Sequence, residues 1–359
     1  MNLKINGRLQ KLRQKLAEKE IDTIFISQPE NRYYLSGFDG SAGFLLITEQ
    51  KAILATDFRY IEQVKIQAPD YEIFQITDDV TGWLPELVVG SKLGKLGFEA
   101  GHITFAMYRQ LSDIIKGTQP SLKLVPLDGL VESLRAIKEP EEIELITRAA
   151  DISDSALEYI IDEIRIGMSE NEVAWEIEKF LRENGSQSPP FNIIVASGPN
   201  SALPHAKPSE RTINSEEPVV IDIGATVEGY SSDLSRTICP GTPDDTFKKV
   251  YDIVLGAQLT AIATIKEDIT GEQADSLART VIQEAGYHKA FGHALGHGIG
   301  LAPHESPRLG PGATETLTSG MVFTIEPGIY LPGWGGVRIE DLAVLEKGKA
   351  KVISKARKD

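Results

Sequence analysis

The sequence predicts an α+β protein in two parts: a smaller α/β domain with a mixed sheet over residues 1–130, then a larger domain over 131–359 built from an internal repeat. Three observations predict it. Short apolar runs alternate with helical patterns up to Leu127. A helix start follows at Lys138–Glu142, with Pro140 at its first position and acids in its first turn. Beyond it, two capping boxes and two helix-stop glycines recur at one common offset.

In the first part, Ile5, Leu9, Leu12 and Leu16 recur at helical spacing among charged residues, the pattern of an amphipathic surface helix and not of a signal peptide. Thr23–Ser27, Gly43–Thr48, Lys51–Thr56, Tyr71–Ile76 and Lys95–Glu99 read as strands, and Arg59–Gln67, Trp83–Val89 and Phe105–Lys116 as helices between them. Asp57-Phe58-Arg59-Tyr60 reads as a strand-to-helix corner. The domain boundary is placed between Leu127 and Ser133.

In the second part, Ser169 with Glu172 and Thr270 with Gln273 each form a capping box, and the helices they open stop at Gly185 and Gly286. All three pairs are 101 residues apart, and an apolar hairpin follows each, so the domain is expected to be a duplication.

Each hairpin carries acids inside apolar strands. In Pro218–Ala225 and Val227–Asp233, a turn at Val227 and Glu228 sets Asp222 opposite Asp233. In Phe323–Gly328 and Gly336–Asp341, a tip at Gly333 sets Glu326 opposite Glu340. A single Asp or Glu ordinarily sits on a solvent-facing edge. Four on facing positions of two apolar hairpins are like-charge pairs that need a shared proton or a cation. Arg338 shares a sheet face with Glu340 and is expected to orient a carboxylate by bidentate hydrogen bonds, whereas Asp341 points the other way.

Four of the six histidines fall in two stretches, His205 in Leu203–Ala206 and His293, His297 and His304 in Gly292–Glu305. The second lacks the H-E-x-x-H pattern and is too rich in glycine for a helix; Gly296, Gly298 and Gly300 are expected to let the main chain approach a substrate or metal. His297, between the two acid hairpins, is the expected imidazole ligand. Four carboxylates and one imidazole suit two hard divalent ions, manganese or cobalt first and zinc or iron next, and a water bridging them would be acidified toward hydroxide. No G-x-S-x-G elbow occurs and Cys239 has no activating pattern, so covalent catalysis is not expected.

Bulk properties narrow the class further. With 52 acidic and 37 basic residues the net charge is -15, which opposes nucleic acid and anionic membrane as partners. One cysteine excludes an internal disulfide, and no run reaches the ~20 apolar residues of a membrane span, so a cytoplasmic protein is expected.

From Leu134 onward these blocks resemble the metallopeptidase family of aminopeptidase P, prolidase and methionine aminopeptidase: Ile194–Asn200 leading to Leu203-Pro204-His205, the Asp222 and Asp233 hairpin, Gly292–Glu305, Thr324–Gly328 and Val337–Asp341. The resemblance implies the pita-bread fold, with Asp222 chelating one ion, His297 and Glu326 holding the other, and Asp233 and Glu340 bridging both. It further implies that Glu326 takes a proton from the attacking water, that His205 and His304 bind the substrate carbonyl and the oxyanion, and that His293 frames the leaving proline side. Asn31–Phe38, Gly40–Gly43 and Thr56–Tyr60 are similar to the N-domains of the aminopeptidase P branch, which implies cleavage before proline in short proline-containing peptides and a homodimer. The implied activity is that of an Xaa-Pro aminopeptidase. Prolidase, restricted to Xaa-Pro dipeptides, is the alternative; a metal-free amidinohydrolase like creatinase and a non-catalytic binding module are opposed by the complete ligand set.

Overall fold

The structure is a computed structural model that describes residues 4–88 and 94–358. The chain folds as two compact units, Met1–Arg135 and Ala136–Asp359.

The first unit opens with α1 (Ile5–Glu18), whose Leu9, Leu12 and Leu16 are buried, the face the spacing selects. Then come β1 (Thr23–Ile26), α2 (Pro29–Ser36), β2 (Phe44–Thr48), β3 (Ala52–Asp57), α3 (Ile61–Gln67), β4 (Glu72–Ile76), α4 (Val80–Val88), β5 (Lys95–Glu99), α5 (Phe105–Thr118), β6 (Lys123–Leu127) and α6 (Glu132–Arg135). The six strands form one sheet in the order β4-β3-β2-β1-β5-β6. It is mixed: β1 is antiparallel to β2 and parallel to β5. Phe25, Trp83, Leu84 and Leu111 build the core on one of its faces.

Differences from the sequence reading have local causes. The helix expected from Arg59 begins at Ile61 because Asp57 accepts from the Arg59 backbone N–H and holds a turn there. The helix expected over Trp83–Val89 starts earlier, at Val80; Val89 lies outside the described residues. Three elements of this unit lie outside the sequence reading: α2, β6 and the four-residue α6. In α2 the buried face includes Asn31 and Arg32, so the apolar spacing is blurred, although Pro29 at its start and a left-handed Gly37 at its end mark it. In β6, Pro126 argues against a strand, but β6 is a sheet edge, where proline is tolerated.

The second unit contains α7 (Pro140–Glu163), α8 (Glu170–Glu183), β7 (Ile194–Ser197), β8 (Val219–Ile223), β9 (Thr226–Val227), β10 (Tyr230–Ser231) and β11 (Leu234–Ile238). It continues with α9 (Asp245–Thr264), α10 (Gly271–Glu284), β12 (Gly296–Gly298), β13 (Glu305–Leu309), β14 (Val322–Ile325), β15 (Gly328–Leu331), β16 (Gly335–Arg338), β17 (Asp341–Glu346) and β18 (Lys349–Val352). The duplication is borne out. Ser169–Glu172 and Thr270–Gln273 both form reciprocal capping boxes, and Gly185 and Gly286 both take positive φ, at 100° and 89°. The sheets repeat as well: β11-β8-β7 in the first half has its counterpart in β17-β14-β12 within the five-stranded sheet of the second. This is the pita-bread arrangement, preceded by a creatinase-like α/β unit.

Candidate metal centre

The two halves present their acids at strand ends. Asp233 immediately precedes β11 and Glu340 immediately precedes β17, Glu326 immediately follows β14, and Asp222 lies one residue from the end of β8. In the second hairpin the expected register holds on both sides of the acids, with Gly328 paired to Arg338 and Ile325 to Asp341. The first hairpin corrects the sequence reading: Asp222 pairs with Ser235, not Asp233. Its turn falls on Glu228 and Gly229, both at positive φ (48° and 80°), as a two-residue hairpin turn requires. A slip of two residues keeps every side chain on its face, so Asp222 and Asp233 still share a cavity.

That cavity, of about 830 Å³, is lined by Asp222, Asp233, Glu326, Glu340, His205, His293, His297, His304 and Arg338, together with Arg308 and Lys207. Asp233, His297 and Glu340 bring ligand atoms within 4.8 Å of one another. Glu326 Oε1 lies 3.4 Å and Asp233 Oδ2 3.6 Å from His297 Nε2. Asp222, whose charge acts on Asp233, Glu326 and Glu340, has its Oδ2 accepting from Arg338 Nη2 at 2.6 Å.

The electrostatics fit a cation. Burial pushes the carboxyls of Asp233 and Glu340 well up, with repulsion from the neighbouring acids adding to it, and burial pushes Glu326 up to about 8. Burial also lowers His297 to about 4, which keeps it neutral at physiological pH. Its Nδ1 lies 3.1 Å from the Gly298 carbonyl oxygen, an acceptor only, so Nδ1 carries the proton and Nε2 turns a lone pair toward two carboxylates. Asp222 Oδ1 and Glu340 Oε1 are buried and have no hydrogen-bond partner among the described residues. Lone pairs converging from hard oxygens and one imidazole are the donor set of divalent ions.

Other expectations shift. Arg338 orients a carboxylate, but it is Asp222 in the other half, through one bond and not a bidentate pair; its Nε donates to Ser235 Oγ and its Nη1 to the Pro204 carbonyl and the Tyr330 hydroxyl. His293 has no ring nitrogen to spare: Nδ1 donates to Ala294 O, Nε2 accepts from Tyr330 OH at 2.9 Å, and the ring stands edge-on to Phe291. Asp341 turns away to Arg236, Gln258 and Lys358. Gly296 and Gly298 are needed because a Cβ there would strike Thr324 and Ser306 main chain, so they admit neighbouring strands and not a ligand. Tyr330 and Thr324, whose hydroxyl donates to Glu326 Oε1 at 3.1 Å, were missed. A signal for Tyr330 existed in the glycine opposite it: Gly336 pairs with Tyr330 and leaves room for the ring.

Residues 144–347 match the pattern of metallopeptidase family M24 and residues 8–137 that of the creatinase/prolidase N-terminal domain. The chain is a member of metallopeptidase family M24. The M24 chain is 42% identical to the solved structure of an Xaa-Pro dipeptidase from Bacillus anthracis, with a TM-score of 0.94 and 99% of each chain covered. It is 38% identical over 364 residues to the Xaa-Pro dipeptidase of Pyrococcus furiosus, covering 98% of this chain and 99% of that one. It is also similar to the solved X-Pro aminopeptidase of Thermotoga maritima, at 37% identity and a TM-score of 0.87, with 95% and 97% covered. This M24 enzyme is therefore a metal-dependent hydrolase, and no helix among its described residues is long and apolar enough to cross a membrane.

Proposed function

We propose that the chain is an Xaa-Pro dipeptidase, which places the alternative of the sequence reading above the aminopeptidase. The supporting observation is that one cavity joins the acid and imidazole cluster to two cationic side chains, Arg308 and Lys207. The free carboxylate of a dipeptide is an anion that a guanidinium pairs well, whereas a longer peptide presents an uncharged amide after its proline. Likeness along nearly the whole chain to proteins named Xaa-Pro dipeptidase supports the same reading.

Two divalent ions, manganese or cobalt, held by Asp222, Asp233, His297, Glu326 and Glu340, would supply the charge that acidifies water and polarises the scissile carbonyl. The remaining work belongs to the chain. Glu326, its carboxylate fixed by Thr324, accepts a proton from the attacking water. His205 and His304 donate to the carbonyl oxygen as it becomes an oxyanion. His293, held neutral by burial and locked by Tyr330, forms an uncharged wall for the proline ring. Cytoplasmic location and a homodimer complete the proposal, the latter tested by light scattering.

The test is hydrolysis of Ala-Pro against Ala-Pro-Ala by manganese-loaded enzyme. Cleavage of the dipeptide alone is expected, with Arg308→Ala raising KM for Ala-Pro more than it lowers kcat. Comparable cleavage of the tripeptide would favour the aminopeptidase, a reading supported by the likeness to the Thermotoga enzyme.

A further inference from the structure

Arg236 lies outside the cavity, and its guanidinium is almost completely buried, with side-chain exposure of 2%. All five of its N–H groups are used. Nε donates to Arg357 O at 2.9 Å and Nη2 to Ala356 O and Asp341 Oδ1, both at 2.8 Å. Nη1 donates to Ser235 O at 2.9 Å and to Glu340 O. These acceptors come from three separate stretches: its own strand β11, the start of β17, and the tail after β18.

The consequence falls on Glu340. Its main-chain carbonyl accepts from Arg236, and its main-chain N–H donates to Ser235 O at 3.0 Å. Both backbone polar groups of this acid are thus fixed by two adjacent residues of the other half. Those residues stand two and three places after Asp233, whose ligand atom lies within 4.8 Å of that of Glu340. A second tie reinforces the first: Thr237 Oγ1 donates to Arg338 O and accepts from Arg338 N, both at 2.9 Å. The tail that completes the Arg236 cage is itself pinned, since Asp154 accepts from the Lys355 and Ala356 N–H groups at 2.8 and 3.0 Å and Tyr251 donates to Lys358 O at 2.7 Å.

We propose that Arg236, caged by the tail over residues 353–358, is a positioning residue that sets the spacing of Asp233 and Glu340 across the two halves and thereby the affinity of the site for divalent cations. The inference rests on the reading of those two acids as metal ligands. A planar fork of five donors can bridge three chain segments at once; a lysine, with three tetrahedrally arranged donors, can keep the charge opposite Asp341 but not the bridge. Ligand geometry tolerates errors of only about 0.5 Å, so loosening this link is felt at the ions.

The experiment measures Mn2+ binding by calorimetry to the metal-stripped full chain and to Arg236→Lys and Asp154→Ala, with far-UV circular dichroism and a thermal midpoint for each. Asp154 hydrogen-bonds the tail, does not line the cavity, and acts on Arg236 only through its charge. The expected result is that both variants stay folded at 25 °C while Mn2+ affinity falls at least tenfold in Arg236→Lys, as is usual for outer supporting groups, and severalfold in the more remote Asp154→Ala. A purely structural role would lower the midpoint and leave the affinity of the folded protein intact, and affinities within twofold of wild type would overturn the proposal. Should Arg236→Lys fail to fold, Asp154→Ala decides by the same criterion. Wild-type protein that binds no Mn2+ would overturn this proposal together with the ligand assignment. Mn2+ binding without cleavage of Ala-Pro would sink the dipeptidase reading alone.

Discussion

Arg338 Nη2 donates to Asp222 Oδ2 at 2.6 Å, joining the last residue of β16 in the second half to the penultimate residue of β8 in the first. Both side chains are largely buried, at 3% and 14% exposure, so the contact is shielded from water. The guanidinium also fixes the Tyr330 hydroxyl, which in turn fixes His293.

Replacing Arg338 by alanine therefore releases Asp222 and unlocks Tyr330 in one step. Supporting groups of this kind are worth about 10–100-fold in metal affinity or activity. Arg338→Ala is expected to lose at least that much in kcat/KM for Ala-Pro, while Arg338→Lys, which keeps the charge but loses the fork, falls between it and wild type. Equal activity in all three would show that Asp222 needs no orienting partner.

The isosteric change Glu340→Gln removes a buried negative charge and little volume. In EDTA-treated protein it is expected to leave the thermal midpoint unchanged or raise it, because burial disfavours the charged carboxylate. Added manganese should stabilise wild type and not the variant, since stabilisation by a ligand requires preferential binding to the folded state. A manganese-induced rise in both proteins would remove Glu340 from the ligand set. Asp233→Ala should likewise lose Ala-Pro cleavage with its circular dichroism spectrum intact.

The pH dependence of the metal-free protein has a definite sign. A carboxyl whose folded pKa is raised stabilises the fold below its unfolded value and loses that contribution as pH rises through the folded one, here from 4.5 to about 8 for Glu326 and in the same direction for Asp233 and Glu340. His293 and His297, lowered from 6.5 to about 4, act oppositely but are spent above pH 6.5. Between pH 6.5 and 8 the carboxyls dominate, so the midpoint of EDTA-treated protein should fall while manganese affinity rises, protons and cation competing for the same oxygens. A midpoint that climbs over that interval would contradict the burial of the acids.

Lys138 Nζ contacts Glu305 Oε1 at 2.8 Å, with side-chain exposures of 1% and 6%, and Glu305 follows His304 on the cavity wall. Removing Lys138 takes away the cation facing Glu305, which keeps other contacts such as the Ala302 N–H at 3.5 Å; breaking a buried ion pair costs up to about 3–5 kcal/mol. Lys138→Met should lower unfolding stability in a urea titration by an amount between ~1 kcal/mol and that ceiling. A change below ~1 kcal/mol would mean that the carboxylate finds water or another donor, as exposed pairs do.

Where a feature is local, the sequence carried it. The capping boxes at Ser169 and Thr270, the stop glycines and the Glu326–Glu340 register depend on residues a few places apart or on one hairpin, and each is found where the pattern puts it. The first hairpin was misread by two places because Glu228-Gly229 was a better turn than Val227-Glu228, a matter of which residue accepts positive φ. Helix α2 escapes the sequence reading because its buried face mixes Asn31, Arg32 and Ser36 with Tyr34 and Leu35, which blurs the apolar spacing.

By itself, then, the sequence determined the duplicated scaffold, the placing of acids inside two apolar hairpins and of an imidazole between them, since periodicity and like-charge repulsion act over short stretches of chain. Only the tertiary structure decided which partner each group takes: Arg338 with Asp222 rather than Glu340, Tyr330 on His293, Arg236 across to Glu340 and the tail. Those contacts join residues up to 121 positions apart. Their selection depends on which surfaces the two halves bury against each other and on the cost of leaving a buried donor or charge unmet, and neither is written in the spacing of residues along the chain.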